Sequence, residues 1–263
     1  MGEVGFEPTK AEPTGLQPVP FGHSGTPPRP AQCSEMAACS PKREGVLDRL
    51  AELIAAVRRP HVVRVAADGV DAAGKTRLGD ELRPLIEARG RAVLRATIDG
   101  FHRPRAERYR LGPTSPEGYY RDSFDYEALR RELLGPLGSG GDRVHRTRVF
   151  DLHADEPVLD PPVRAPEEAV LLLDGVFLLR PELNDLWDVR VYVEIEPEEA
   201  LRRALVRDED LFGSPDEALR RYRNRYVPGQ RLYLDEVDPR ALADVVFENT
   251  DLAAPALHAP SPL

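Results

Sequence analysis

From residue 69 to residue 76 the chain reads Gly69, Val70, Asp71, Ala72, Ala73, Gly74, Lys75 and Thr76, which satisfies G-x-x-x-x-G-K-[ST]. The pattern has a mechanism. Glycines let backbone N–H groups close around phosphates, and the N-terminus of the following helix adds positive potential. In such a loop Lys75 neutralises the β- and γ-phosphates of a nucleotide such as ATP, and the Thr76 hydroxyl is a ligand for Mg²⁺. Lys75 is also the only lysine between Glu44 and Thr250 in a chain with 36 basic residues. An arginine-biased sequence of this kind suggests a GC-rich genome, so a retained lysine marks a place that needs a compact ammonium.

Three further groups have types and positions suited to chemistry. Asp99 lies in Thr97-Ile-Asp-Gly-Phe-His-Arg-Pro-Arg105, at the carboxyl end of a strand-like run, where it would face the phosphate cradle. Its structural alternative is to cap a turn before Gly100. Asp174 ends the apolar run Ala169–Leu173, where an unpaired carboxylate would be costly, so a role beside Mg²⁺ is expected. Arg203 and Arg207 stand one helical turn apart on one face, although in so arginine-rich a chain such a pair can simply be solvated.

These residues need strands that end at a common edge. Residues 61–68 form a β-branched run leading into the glycine loop, and Leu78, Leu82, Leu85 and Ile86 mark a helix after it, with Pro84 expected to kink or break its end. Strands are expected at 91–98, 143–150, 169–179, 189–195 and 243–249, with one helix opening at Ser40-Pro41 and running until Pro60, and others at 126–134, at 197–208 and from 215 to about 234. Alternating strands and helices, several strands being continuously apolar and the first running into the glycine loop, predict an α/β fold of the P-loop NTPase type: three layers with a mainly parallel sheet covered on both faces.

Composition sets the limits. Of the 26 prolines, eight fall in the first 42 residues with almost no hydrophobic periodicity. Residues 1–41 are expected to be a disordered arm or a mis-assigned start, with Met36 as an alternative first residue; 42–251 are the folded domain, and 252–263 a disordered tail. The net charge of −9, with no basic block, argues against nucleic acid. No apolar run is long enough to span a bilayer and no signal peptide is recognisable, so a soluble cytoplasmic protein is expected. Cys33 and Cys39, the only cysteines, lie in the arm, which excludes disulfide, thiolate and Cys-ligated metal chemistry from the folded body. No lysine follows Lys75, so the N-K-x-D motif of GTPases is absent, as is the L-S-G-G-Q signature of transport ATPases.

Taken together, these motifs resemble the uridine kinase and phosphoribulokinase family of P-loop kinases over about 62–251. The resemblance implies that Asp99 is the general base, followed by the aromatic Phe101. It implies that Phe124-Asp125 matches the family's acceptor segment, that Phe150 stands where the family has tyrosine, and that His153 lies near its histidine. It also places Asp174 at the acidic end of the buried strand, and implies a small arginine-bearing lid near 203–215, with Arg203 and Arg207 on the lid helix neutralising the transferring phosphate. On that basis Phe101, Asp125, Phe150 and His153 are expected to bind the acceptor. The implied reaction is ATP- and Mg²⁺-dependent transfer to a hydroxyl of a small molecule, with the 5′-hydroxyl of uridine or cytidine first. The alternatives are a nucleoside monophosphate kinase, a kinase of another metabolite such as a sugar or pantothenate, and a non-catalytic ATP-binding regulator. Asp71 also fits the loops of thymidylate kinases, although their D-R-x motif is absent. Oligomeric state is not legible.

Overall fold

The structure, a computed structural model, describes residues 41–258. The arm expected to precede them, with Cys33, Cys39 and Met36, lies outside the described residues. A six-stranded sheet is built from β1 (Val63–Asp68), β2 (Val93–Thr97), β3 (Val170–Gly175), β4 (Val189–Glu194), β5 (Val245–Glu248) and β6 (Ala256–His258). Its spatial order is β6-β5-β4-β1-β3-β2. All neighbours are parallel except the antiparallel β5–β6 pair. Among the helices, α1 (Pro41–Ala56), α2 (Lys75–Glu87), α3 (Pro116–Asp122), α4 (Pro197–Arg207), α5 (Pro215–Arg221) and α6 (Val227–Val237) carry the argument below. Among the described residues no helix is long and apolar enough to cross a membrane.

All six residues of β1 and of β3 are buried, as strands covered on both faces must be. Alternation then divides them between two cores. Val63, Val65, Val170 and Leu172 pack with Leu47, Leu50 and Ile54 of α1 and Leu78, Leu82 and Ile86 of α2. Ala66, Leu171 and Leu173 face the other way, into a core that includes Tyr119, Tyr120, Phe124, Phe177, Tyr226 and Tyr233. The three-layer expectation is met.

Four local features differ from the sequence reading. Helix α2 continues through Pro84 to Glu87, with Ala88 N–H donating to the Pro84 carbonyl. The single strand expected over 143–150 is two short ones, Val144–His145 and Phe150–Asp151, each paired in its own two-stranded ribbon. Between them the chain is pinned to the turn after β2: Val149 N–H donates to the Gly100 carbonyl at 2.8 Å, and a Cβ on Gly100 would lie 2.8 Å from Arg148 Cβ. The tail expected to be disordered from 252 instead supplies β6, which satisfies the open edge of β5 and packs Leu257 against the α1–α2 core. Finally, the helix expected from 215 to about 234 contains a π-helical turn at Tyr222–Tyr226 between α5 and α6. Pro228 has no N–H to return to the preceding turn, so a widened turn is tolerated there.

Candidate active site

The glycine loop leaves β1 at Asp68. That side chain is fully buried and accepts hydrogen bonds from Leu178 N–H at 3.0 Å and Tyr233 Oη at 2.6 Å; burial pushes its carboxyl pKa up. A Cβ on Gly69 would lie 2.5 Å from the Val193 carbonyl, so the chain can pass β4 only as glycine. At Gly74 the backbone has φ 94°, and a Cβ would meet Asn249 Nδ2 at 2.6 Å. Asn249, just beyond β5, is a buttress: its Nδ2 donates to the Ala73 carbonyl at 2.7 Å and its Oδ1 accepts from Arg43 Nη1 at 3.1 Å.

Arg43 is buried on α1, bonded to Glu81 of α2 and placed over the Phe247 ring. Burial alone would push the Glu81 carboxyl up, but hydrogen bonds from Arg43 and Arg77 outweigh it and hold its pKa below the ordinary 4.5. A depressed carboxylate stabilises the fold above its unfolded pKa, and that part is lost as pH falls through the folded one. Arg43→Ala is therefore expected to cost about 2–3 kcal/mol, less than a fully buried pair because Glu81 keeps some solvent and Arg77. It should also flatten the acid limb of the stability curve. Urea unfolding at pH 7 and pH 4 checks both; a loss below about 1 kcal/mol at pH 7 would show that Arg43 does not brace the loop.

Lys75, the first residue of α2, is buried and donates from Nζ to the Val70 carbonyl at 2.7 Å. Burial pushes its pKa down, while Asp71, Asp68 and Asp174 oppose the shift. The neighbouring Thr76 Oγ1 donates to Asp174 Oδ2 at 2.7 Å, and Arg95 Nη2 holds Asp174 Oδ1 at 3.0 Å. Burial raises the Asp174 pKa against the pull of Arg95 and Thr76. A hydroxyl and a carboxylate in contact at the loop are hard oxygen donors of the kind Mg²⁺ takes alongside phosphates and water, so these residues fit that ion.

Register brings the second carboxylate to the same edge. Thr97 of β2 pairs with Asp174 of β3, and Asp99 follows in the 3₁₀ turn Ile98–Phe101, with its side chain 25% exposed. His102 Nδ1 lies 3.0 Å from the Asp99 carbonyl, and its ring packs on Phe124 with centroids 4.5 Å apart. From the lid side come Arg203 and Arg207 of α4. Arg203 is braced by Glu199 and by the Asn249 and Thr250 carbonyls. Arg207 forms a two-pronged pair with Asp208 at 2.7 and 2.8 Å and donates to Tyr222 Oη at 3.0 Å, while Tyr222 donates to Asp208.

A cavity of about 800 Å³ collects Asp71, Lys75, Thr76, Asp99, Asp174, Arg203 and Arg207. Ala72 and Gly74 join them, whereas Gly69, Val70 and Ala73 form the back of the loop. The four expected acceptor contacts are not brought to it. Phe101 is fully buried in the core, because a 3₁₀ turn puts it on the same face as buried Ile98 and leaves Asp99 on the other. Asp125 is the N-cap of the short helix Tyr126–Leu129, accepting from Ala128 N–H at 2.9 Å. Phe150 is buried in its ribbon, and His153 sits exposed in the turn beyond. The aromatics that do line the cavity are Tyr119, Phe124, Phe212, Tyr222 and Tyr226, with His102. The sequence reading singled out none of the tyrosines; the i, i+4 spacing of Tyr222 and Tyr226 was the available signal.

No family model matches the chain. Its fold is that of the P-loop kinases. A possible uridine kinase from Bacillus stearothermophilus superposes with a TM-score of 0.62 at 23% identity, covering 77% of this chain and 97% of that one. A protein described as a fructose transport system kinase from Silicibacter sp. TM1040 gives 0.61 at 24%, over 72% and 94%. D-glycerate 3-kinase from Cryptococcus neoformans gives 0.57 at 14%, over 81% and 98%. The three are named for different substrates or systems, so the shared fold by itself selects no acceptor.

Proposed function

We propose that this protein transfers the γ-phosphoryl group of ATP to a hydroxyl of a small metabolite. The observation that carries the reading is the convergence, in one cavity, of Lys75, the Thr76–Asp174 pair, Asp99 and Arg207. Lys75 exchanges the Val70 carbonyl for phosphate oxygens, and Asp99 accepts the proton of the attacking hydroxyl. Arg207 leaves Asp208 to neutralise charge on the transferring group, and the movement of α4 over the site excludes water as a competing acceptor. Thr76 and Asp174 would hold Mg²⁺, whose chemistry there is to neutralise and align the phosphates.

The acceptor proposed first is the 5′-hydroxyl of uridine, then of cytidine. Support comes from the motif resemblance at Asp99, Phe124 and Asp174, and from a wall of Tyr119, Phe124, Tyr222 and Tyr226 suited to a planar base. A second reading, a kinase of a smaller sugar or sugar acid, is favoured by the position of Asp125, Phe150 and His153 away from the cavity. ADP release across uridine, cytidine, 2′-deoxyuridine, thymidine monophosphate, D-glycerate, fructose and pantothenate separates them. Uridine and cytidine should lead. Turnover confined to a sugar or sugar acid would overturn the nucleoside assignment, and ATP binding without turnover on any acceptor would overturn the kinase.

A further inference from the structure

Strand β2 lies at the edge of the sheet and carries one charged residue, Arg95. Register sets Arg95 beside Leu172 and Thr97 beside Asp174, so alternation turns the Arg95 side chain to the face that α2 covers. There its guanidinium lies against Gly79: a Cβ at that position would meet Arg95 Nη1 at 2.2 Å and Cζ at 2.4 Å. Glycine is among the poorest residues for a helix interior, and α2 carries one where the guanidinium passes. From that seat Nη1 donates to the Leu172 carbonyl at 3.2 Å. Nη2 donates to the Thr76 carbonyl at 3.2 Å and to Asp174 Oδ1 at 3.0 Å. Nε and Nη2 also reach Asp80 Oδ1, at 3.3 and 3.2 Å.

One nitrogen therefore holds the backbone of Thr76 and the carboxylate of Asp174, the two residues whose side chains fit Mg²⁺. Arg95 is not part of the cavity wall, so it acts through them. Asp174 is buried, and its two oxygens have different partners: Oδ1 the guanidinium, Oδ2 the Thr76 hydroxyl. A cation that takes this carboxylate through both oxygens must displace Arg95, whereas one that takes a single oxygen need not. Ca²⁺ readily binds carboxylates through both oxygens in a flexible shell. Mg²⁺ demands near-octahedral geometry and is held by few carboxylates beside phosphates and water.

We propose that Arg95 sets cation specificity at the nucleotide site: by fixing Asp174 Oδ1 and the Thr76 backbone, it leaves one carboxylate oxygen for the ion and favours Mg²⁺ over Ca²⁺. It is a positioning residue, since it touches neither nucleotide nor acceptor. The inference rests on the metal-site part of the kinase reading above and deepens it. Losing a hydrogen bond to a charged group changes binding by about 10- to 100-fold, which sets the size of the expected effect.

The test is calorimetric binding of a non-hydrolysable ATP analogue to the full chain in EDTA, in Mg²⁺ and in Ca²⁺, with a thermal melt of each variant. In the wild type Mg²⁺ should tighten the analogue at least about 10-fold more than Ca²⁺ does. Arg95→Met removes the guanidinium and should bring the two cations within about 3-fold of each other, with binding in EDTA nearly unchanged. Gly79→Ala reaches the same end without touching Arg95. Its methyl drives the flexible guanidinium from its seat while alanine favours the helix, so this variant should fold and lose the Mg²⁺ preference too. If Arg95→Met does not fold, Gly79→Ala decides alone. A wild-type preference retained in either folded variant would overturn the assignment. So would a loss of analogue binding that is equal in EDTA, Mg²⁺ and Ca²⁺, which is the mark of packing alone, or a wild type that treats the two cations alike. Binding does not depend on turnover, so the two claims fail separately. A wild type whose Mg²⁺ preference is lost in both variants, yet which releases no ADP with any acceptor, refutes phosphoryl transfer and leaves Arg95 standing. ADP release by a wild type whose variants keep the preference does the reverse.

Discussion

Replacing Lys75 with alanine should lower turnover by about 10³-fold or more, the upper end of the cost of losing one pre-organised group at developing charge. Lys75 is buried at the start of α2, and its Nζ is within 2.7 Å of the Val70 carbonyl, so the ammonium is already seated over the loop before phosphate arrives. Burial opposes its charge, and the nearby carboxylates Asp71, Asp68 and Asp174 keep it. The residue therefore serves charge placement more than packing, and the melting temperature of Lys75→Ala should change by only a few degrees. Lys75→Arg should fail nearly as badly, because a planar fork cannot take the seat of a compact ammonium. Steady-state kinetics together with a thermal melt check this. Turnover near wild type in either variant would mean that the loop is not a catalytic phosphate site.

The second large effect belongs to Asp99. Asp99→Asn should reduce kcat by about 10²- to 10⁴-fold, the usual worth of a positioned base, with the KM for ATP within about 3-fold. The substitution preserves the local turn, because the Thr97 Oγ1 cap is made to the backbone N–H of Asp99 at 3.4 Å and not to its carboxylate. A loss of turnover can then be assigned to proton transfer. Near-normal turnover with a lowered melting temperature would return Asp99 to a structural role.

The parts of this site that the sequence made legible are those set by contiguous residues. Gly69 to Thr76 carries its geometry in its glycines and its charge in one lysine. Asp99 and Asp174 were recognisable because parallel strands deliver their carboxyl ends to a common edge, and the pairing of Thr97 with Asp174 does so here. The hydrogen bonds that Tyr119 and Gln230 donate to the Asp71 carboxylate were not legible, because these residues are 48 and 159 positions away in sequence. Asn249 supports Ala73 across 176 positions. Such partners are chosen by packing between layers, and no local pattern encodes them. Phe101 failed for a different reason. The aromatic after Asp99 was expected at the acceptor, but the chain turns with three residues per turn, and Phe101 follows Ile98 into the core. Phe124, across the bridge to His102, reaches the cavity in its stead.

The arginines of α4 illustrate the same limit. The resemblance placed both on the lid helix, yet Arg203 is braced on backbone carbonyls and Arg207 on Asp208 and Tyr222. Burial alone would lower the Arg207 pKa, and its hydrogen bonds with Asp208 raise it. Arg207 therefore stays cationic, and in the phosphoryl transfer proposed above it is the one that would exchange a carboxylate for phosphate.

The central claim, γ-phosphoryl transfer to a hydroxyl, is tested most directly by following the label from [γ-³²P]ATP in the presence of Mg²⁺, with and without uridine. The account predicts label in a uridine-dependent phosphomonoester, formed in step with ADP and lost in Lys75→Ala and Asp99→Asn. Label released only as inorganic phosphate, at a rate indifferent to uridine and to every other hydroxyl acceptor in the panel, would contradict it.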